Sequence, residues 1–519
     1  MHRGTFLRGV AVTGVLAMAL AACGGGGGAG SGSATGKTVV IGTTDKVTSF
    51  DPAGSYDLGS WTGIYNIYQN LMSIPAGGNT PQPDAASTCS FTAPTTYQCT
   101  LKDGLKFSNG DPLTAQDVKF SFERIVKIDD PNGPVSLLGS MASVAAPDDK
   151  TVTFTLKAAD ATFPFVLTTG AGAIVPSKVF PADKLQPSES VVGSGPYKLA
   201  QYKAGQQAVF EKNPNYKGSA KLANDRTILQ YFDQASALKL AIEQGNVDVA
   251  YRSLSPTDIQ ALRGESSKGV QIVEGQGTEI RYMVFQTKDP VTGQKPVRQA
   301  IAQLIDRAAI AKNAFSDTVT PLYSMIPAGL QGHTEAFKDR YGAPSVDKAK
   351  AILSQAGIQT PVKLQLWWTP SHYGPASADE YTEIKRQLEA SGLFTVDLKS
   401  TEWQEYQKAY KAGQYPAYQL GWFPDFPDAD NYSSPFLLKG GFFKNNYDNP
   451  QVDKLITTEQ TSTDNAARMA AFQEIQKITA EDVPVLPIWQ GKQVAAVRTG
   501  VSGVDKTFDP SFTFRFWLV

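Results

Sequence analysis

The chain has 519 residues and an almost balanced charge, with 48 lysines and arginines against 49 aspartates and glutamates. This balance excludes a large basic surface for nucleic acid or anionic lipid, so no nucleic-acid partner is expected. A hydrophobic content of 41% is that of an ordinary globular protein and excludes a disordered chain.

The N-terminus predicts an exported protein with a lipid anchor. Residues 1–22 combine a basic start with an apolar run too short to cross a bilayer as a mature helix, which is typical of a secretion signal. The run closes as Leu-Ala-Ala-Cys and resembles the cleavage box of bacterial lipoproteins, so Cys23 is predicted to receive a diacylglycerol. The alternative is an ordinary signal peptide with a chance cysteine. No later apolar run reaches the roughly 18 residues of a membrane span, so we expect a protein held by lipid on the extracytoplasmic face of the cell membrane.

A tether rich in glycine and serine follows over residues 23–37, and the rest of the chain is long enough for two or three domains. The remaining cysteines, Cys89 and Cys99, are expected to pair in an oxidising compartment. Their flanks alternate like two short strands joined by a turn, which would place the sulfurs across a hairpin. A redox-active pair is disfavoured because the spacing is not Cys-x-x-Cys.

Strand-like and helix-like patterns then alternate. A β-rich run at residues 38–44 precedes apolar residues at helical spacing from Trp61. In the segment LTAQDVKFSFERI, residues 113–125, Thr114 and Asp117 fit a capping box and predict a helix start.

Later segments continue the alternation. Pro296 is predicted to open a helix whose apolar face runs on to Ala308. Three more helices are expected to end at glycines that precede strand-like runs, at Gly245, Gly357 and Gly392. Alternating helices and strands indicate α/β domains.

The order of the motifs resembles the family 5 extracellular solute-binding proteins of ABC importers, which include dipeptide- and oligopeptide-binding proteins. The matching stretches run in order through nearly the whole mature chain and lie at residues 101–125, 192–199, 211–216, 297–307, 421–432 and 481–489. The resemblance implies an α/β, two-lobed periplasmic-binding-protein type II fold (Venus-flytrap) with an extra inserted domain. The implied boundaries are 38–59, 188–281 and 492–519 for lobe I, 60–187 for the inserted domain and 282–491 for lobe II.

The same resemblance implies a binding protein that captures peptides and delivers them to an ABC permease and its ATPase, working as a monomer without a cofactor. An enzyme is not expected, because no nucleophile, metalloprotease or phosphate-loop motif is complete. A metal site is not expected either, since His333 and His372 have no paired ligand spacing. The alternative is the same fold binding an oligosaccharide or another small solute such as a metal chelate.

The stretch GWFPDFPDADNY, residues 421–432, is the predicted binding site. It follows a predicted strand, AYQLGW, and ligands of open α/β sheets bind at the carboxyl ends of strands. In the peptide-binding members, the aspartate three residues after the tryptophan pairs with the ligand's α-amine, which implies that role for Asp425. The backbone of Gly421 and Phe423 corresponds to the strand along which a bound peptide lies, although Pro424 cannot donate a hydrogen bond. Trp422 is expected either beside the ligand or in the core.

Other notable side chains have structural interpretations. Asp428 and Asp430 are assigned to turns or caps rather than to ligand contact. Trp367 and Trp368 are weaker pocket candidates, because neighbours on a strand point to opposite faces and one of them belongs to the core. The charges of Arg298, Asp306 and Arg307 are expected on the polar side of a helix, in local ion pairs or caps.

Overall fold

The computed structural model describes residues 37–252, 254–370, 372–374 and 376–519. The predicted signal peptide, Cys23 and the tether up to residue 36 lie outside this part of the chain. Within the described ranges, no helix combines the length and the apolar character needed to cross a bilayer.

The strands, in chain order, are β1 Thr38–Thr43, β2 Met72–Ser73, β3 Gln82–Pro83, β4 Ala86–Ala93, β5 Thr96–Leu101, β6 Met141–Ala145, β7 Thr151–Leu156, β8 Tyr197–Lys203, β9 Gln207–Lys212, β10 Arg226–Tyr231, β11 Val249–Tyr251, β12 Val270–Phe285, β13 Val319–Pro321, β14 Val362–Trp368, β15 Phe394–Ser400, β16 Ala417–Trp422 and β17 Val485–Arg498.

The α-helices are α1 Leu58–Ile67, α2 Ala115–Ile128, α3 Phe163–Val166, α4 Ala235–Gln244, α5 Pro256–Arg263, α6 Lys295–Leu304, α7 Arg307–Phe315, α8 Ala336–Tyr341, α9 Val346–Gln355, α10 Ala376–Ala390, α11 Trp403–Lys411, α12 Ser434–Leu437, α13 Pro450–Thr461 and α14 Asn465–Asp482.

The main sheet has two halves joined by two long strands. Its order is β15-β14-β16-β12-β17-β11-β1-β10-β9-β8, and β13 pairs with β17. We call β11, β1, β10, β9 and β8 the first sheet half, and β16, β14 and β15 the second sheet half. The central pair, β12 and β17, joins the halves, because β12 pairs with β16 of the second half, β17 pairs with β11 of the first half, and the two strands pair with each other.

The ladder between β12 and β17 is interrupted where the chain passes from one half to the other. The register shifts between Gln276 and Ile280. Gly277 lies in this break, and a Cβ at this position would come 2.7 Å from the carbonyl oxygen of Gly491. The two strands therefore approach closely at the crossing, and the close approach requires glycine there.

A separate four-stranded antiparallel sheet, β4-β5-β7-β6, packs with α2 around its own core. Cys89 and Cys99 face each other in the β4–β5 ladder and form a disulfide. The predicted hairpin pair is therefore present. The capping box is present as well, since Thr114 caps α2 with Asp117 as its reciprocal partner.

The helices cover the sheet on both faces. In the second sheet half, one apolar cluster contains α6, α7, α9 and α10 residues, and another on the opposite face contains residues of α13 and α14. The predicted glycine ends of helices are confirmed at Gly245, which caps α4 in a left-handed conformation, and the following strand-like runs form β11, β14 and β15.

Two details of the helix opened by Pro296 were predicted wrongly. The helix ends at Leu304, and a new helix, α7, starts after Asp306, whose side chain accepts the Ala309 N–H at 3.0 Å. Ala308 is consequently exposed rather than on a continuous apolar face.

The arginines of this region are buried instead of lying on a polar surface. Arg298 is 5% exposed and donates to the carbonyl oxygens of Thr292 and Val483 at 2.8 and 2.9 Å. Arg307 is 4% exposed and donates to Pro487 at 2.8 Å. Free carbonyls at the ends of neighbouring segments attract these guanidinium groups inward, because buried backbone acceptors need partners.

Candidate ligand-binding site

The candidate site begins where β16 ends. β16 pairs with β12 and β14, and its first four residues are buried, so the strand fixes the start of the following loop. Pro424 and Pro427 each fix one φ angle of that loop. A short 3-10 helix, Ala429–Tyr432, closes it, and the Tyr432 hydroxyl donates to the carbonyl oxygen of Thr278 at 2.7 Å. The loop is thus attached to the crossing between the sheet halves.

Asp425 is held by side chains from two distant parts of the chain. The Tyr56 hydroxyl donates to Oδ1 of Asp425, and Asn431 Nδ2 donates to its Oδ2 across 3.2 Å. Asn431 Oδ1 in turn accepts the Asp425 N–H at 2.9 Å and Trp422 Nε1 at 3.0 Å. The carboxylate is therefore positioned in advance, which lowers the ordering cost of binding.

The surroundings of Asp425 favour a ligand that brings positive charge. Burial raises the pKa of Asp425, and the hydrogen bonds from Tyr56 and Asn431 oppose this shift. No cation of the described chain is among the groups that act on this pKa. Because an opposite charge close to a desolvated carboxylate stabilises its ionised form, an ammonium group is the matching partner.

A cavity of about 290 Å³ opens beside Asp425. Segments that are far apart in sequence line it, including Tyr65, Asn70, Asp84, Phe426 and Arg515. Phe426 also packs on Phe165, with ring centroids 5.8 Å apart. The cavity therefore lies between the binding loop, the four-stranded-sheet region and the C-terminal segment.

The other predicted site residues lie at the same end of β16. A side chain at Gly421 would collide with the guanidinium of Arg281. Trp422 packs edge-on against Phe436 at 5.3 Å, so its ring belongs to the core while its Nε1 orients Asn431. The four residues are thus close together in space, and their contact with ligand stays a prediction.

Phe423 borders a second cavity of about 190 Å³. Its ring lies 5.1 Å from the Arg252 guanidinium carbon and 5.8 Å from the Phe512 ring, and both of those residues line the cavity. Phe423 comes from the second sheet half, whereas Arg252 follows β11 of the first. The residue therefore contributes to contact between the halves.

Three residues next to the site were missed from sequence: Tyr56, Asn431 and Arg281. Arg281 is 4% exposed, its Nη2 lies 2.6 Å from Glu279 Oε1, and its guanidinium lies 4.3 Å from the Tyr373 ring. Its Nε has no hydrogen-bond acceptor among the described residues. An arginine within the otherwise apolar run IRYMVF was the signal that could have identified it.

Asp428 and Asp430 are engaged in the protein interior. Arg468 donates to both oxygens of Asp428, at 2.8 and 3.1 Å, and Asp428 also caps the 3-10 helix by accepting the Asp430 N–H at 2.9 Å. Gln460 Nε2 donates to Asp430 at 3.0 Å, and Glu459 is fully buried beside them. These carboxylates hold the loop in place rather than face the cavity.

The remaining candidates have packing roles. Trp367 stacks on Tyr415 at 4.1 Å, whereas Trp368 packs against the apolar cluster on the other face of the sheet. His372 stacks on Trp403 at 3.7 Å, and His333 Nδ1 contacts the carbonyl oxygen of Ile326 at 2.7 Å. Across the described ranges, no group of three or more histidine, cysteine, aspartate or glutamate side chains is arranged to hold a metal ion.

Curated relatives match most of the chain. One relative, named "Probable D,D-dipeptide-binding periplasmic protein DdpA", comes from Escherichia coli. It is 27% identical over 485 residues, and the match covers 90% of each chain. The dipeptide-binding protein DppE of Bacillus subtilis is 24% identical over 501 residues, covering 90% of this chain and 89% of that protein.

The fold is also found in solved structures. The murein tripeptide-binding protein MppA, in an unliganded open form, superposes with a TM-score of 0.81 at 21% identity, covering 93% of this chain and 97% of that one. The two-lobed type II fold and the family resemblance expected from the motifs are confirmed. The model of the bacterial extracellular solute-binding proteins, family 5, matches residues 80–444. The chain therefore belongs to this family of solute-binding proteins, which are not enzymes.

Proposed function

We propose that the protein captures peptides between its two lobes and delivers them to a membrane permease driven by an ATPase. The observation that carries this proposal is Asp425, a carboxylate with no ion-pair partner among the described residues, positioned by Tyr56 and Asn431 beside a cavity. The peptide-binding names of the relatives support the same ligand class.

In the proposed complex, the peptide's α-ammonium group binds Asp425. The carboxylate has four lone-pair positions, and Tyr56 and Asn431 use one each, so acceptor capacity remains for the ligand. The peptide backbone lies along residues 421–423 and is bound irrespective of its side chains. Pro424 offers no N–H, so this pairing ends before Asp425.

Cys23 anchors the protein through its lipid on the extracytoplasmic face of the membrane, and the protein acts as a monomer. The lobe boundaries expected from the sequence, 188–281 and 282–491 among them, belong to this proposal. They are supported by the sheet, because the β12–β17 ladder is interrupted between Gln276 and Ile280 and Gly277 there packs against Gly491. Closure about this crossing would bring ligand contacts from both lobes together.

The proposal is tested by replacing Asp425 with asparagine and measuring peptide binding by isothermal titration calorimetry. Asp425→Asn keeps the size of the side chain and its contact with Asn431 but removes the charge. We expect the affinity for free-amine peptides to fall by about 1.5 to 3 kcal/mol, with N-acetylated peptides nearly unaffected. Asp347→Asn, at an exposed position in the first turn of α9, is the matched control and should bind as the wild type does.

Equal losses of affinity for free-amine and N-acetylated peptides would show that Asp425 does not bind the α-amine. The ligand class is tested separately by native mass spectrometry of the chain expressed from Ser33 onward, with co-purified ligand released and identified. A set of short peptides supports the proposal. A sugar or a metal chelate in their place would retain the fold and overturn the peptide assignment.

A further inference from the structure

The cavity beside Asp425 contains a second acid that the proposed amine contact does not use. Asp84 lines this cavity together with Asp425. Its Oδ1 accepts a hydrogen bond from Gln69 Nε2 at 3.1 Å, and its backbone N–H donates to Leu71 at 2.9 Å, so the residue is fixed at the cavity wall. The two carboxylates act on different tyrosines: burial raises the pKa of Tyr65 and Asp425 adds to that shift, whereas burial raises the pKa of Tyr216 and Asp84 adds to that one.

The charges around the cavity do not cancel. Arg515 lines it too, but Asp509 neutralises this arginine through an ion pair of 2.7 Å in which both side chains are 2% exposed. Lys221, an exposed residue, is the other cation of the lining, and the charge of Lys102 also acts on Asp84 from outside the lining. When the ligand's ammonium group occupies Asp425, Asp84 is the acid of the cavity wall that a second positive charge can still contact.

The shape and chemistry of the wall suit a long side chain that ends in a cation. The volume of about 290 Å³ far exceeds the roughly 10 to 15 Å³ that a single water requires. Apolar groups that can contact a methylene chain are Met72, Ile74 and Pro75, and aromatic rings of the wall include Tyr216 and Trp517. Long cationic side chains bury their methylene groups against such surfaces, and aromatic faces attract the charged end.

We propose that this cavity takes the side chain of the ligand's first residue and that Asp84 selects a cationic one, as in peptides that begin with lysine or arginine. The inference rests on the proposed function, because the α-ammonium group bound at Asp425 places the first side chain at the cavity. Burial raises the pKa of Asp84, while Gln69, the charge of Lys102 and the Asn70 N–H oppose the shift. A cationic side chain stabilises the ionised form of such an acid.

The test compares two tripeptides that differ in one terminal group, Lys-Ala-Ala and norleucine-Ala-Ala, by calorimetry on the full mature chain. The wild type should bind the lysine peptide about tenfold more tightly, the factor that one charge-assisted hydrogen bond supplies. Asp84→Asn should reduce this ratio to about one while leaving the affinity for the norleucine peptide unchanged. That unchanged affinity also reports that the variant is folded.

A second variant, at a surface position, should change the same preference for the lysine peptide over the norleucine peptide. Lys221→Met removes the cation of the lining, and we expect it to raise the lysine-to-norleucine ratio by about twofold to fivefold. Because Lys221 is exposed, this change does not disturb a core.

The outcomes separate this inference from the proposed function. Equal wild-type affinities for the two peptides would overturn the cationic preference while leaving peptide capture intact. A preference that survives in Asp84→Asn would overturn the role of Asp84. Failure of the wild type to bind either tripeptide, or binding that Asp425→Asn does not weaken, would reject the proposed amine site and this inference with it.

Discussion

Asp425 and Asp428 lie in the same loop, yet the protein surrounds them in opposite ways. Asp428 is buried against Arg468, which donates to both of its oxygens, whereas Asp425 has hydrogen bonds from uncharged groups and forms no ion pair with the described part of the chain. A carboxylate that already has a buried arginine partner has little to gain from a ligand. A carboxylate that is positioned but not neutralised favours a charged ligand.

The comparison predicts that the Asp428 cluster contributes mainly to stability, and its arginine should give the largest effect. Arg468→Met leaves Asp428, Asp430 and Glu459 buried without their cation. We expect the free energy of unfolding to fall by about 3 to 5 kcal/mol, as when one partner of a buried ion pair is removed. Urea denaturation followed by circular dichroism measures the change.

Glu459→Gln is the matched control for that variant. Burial raises the pKa of Glu459, and the nearby Asp430 and Asp428 raise it further, whereas Arg468 opposes the shift. Glutamine has the same shape and no charge, and we expect stability close to that of the wild type. A loss as large as that of Arg468→Met would show that Glu459 is an ionised partner of the arginine.

The next prediction concerns pH, which should change peptide affinity and protein stability in opposite directions through Asp425. Since burial raises the folded pKa of Asp425, acidification through that pKa protonates the carboxyl and should weaken free-amine peptides by about tenfold per pH unit. The free energy of unfolding changes in the opposite direction. The raised pKa of Asp425 stabilises the folded state fully below the unfolded pKa of about 3.9, and this stabilisation is lost as the pH rises through the folded pKa.

Asp425→Asn should abolish both dependences. Calorimetry with a free-amine peptide and urea denaturation, each from acidic to neutral pH, compare this variant with the wild type. Parallel pH profiles for the two proteins would mean that another group titrates, and the contrast between Asp425 and Asp428 would lose its electrostatic basis.

The smallest expected effect comes from the hydroxyl of Tyr56, which donates to Asp425 in a contact between the proposed lobes. Tyr56→Phe removes one hydrogen bond. We expect it to destabilise the closed form relative to the open form by about 0.5 to 1.5 kcal/mol. Small-angle X-ray scattering of the ligand-free protein should report a larger radius of gyration. Tyr202→Phe, on the edge strand β8 with its ring packed on Phe50, is the control and should leave the radius unchanged.

The sequence predicted those parts of the site that depend on local patterns. β16, the capping box of α2 and the position of Asp425 follow from residues within a few positions of one another. The Tyr56 contact could not be predicted in this way, because 369 residues separate it from Asp425. The role of Asn431 could not be predicted either, because its hydrogen bonds to Trp422 and Asp425 depend on how the loop folds back on itself.

The errors have a shared physical origin. A charge pattern indicates which residues are polar but not where the acceptors of other segments lie, so Arg298 was expected at the surface and is buried against the end of α14 and the start of α6. Likewise, an apolar face can extend in sequence past a residue such as Asp306, whose side chain starts another helix. In both cases a hydrogen bond that the apolar pattern does not encode decided the outcome: the carbonyl oxygens of Asp482 and Val483 for Arg298, and the Ala309 N–H for Asp306.

The position of β17 in the sheet has a consequence for the synthesis and folding of the protein. β17 is synthesised after the other strands of the described residues, and it lies between β11 and β12, where it joins the two sheet halves. Until that segment emerges, β11 lacks its antiparallel neighbour and the lobes have no common ladder. A truncation that removes β17 would therefore take away the ladder that joins the two sheet halves, even where the rest of each half is intact.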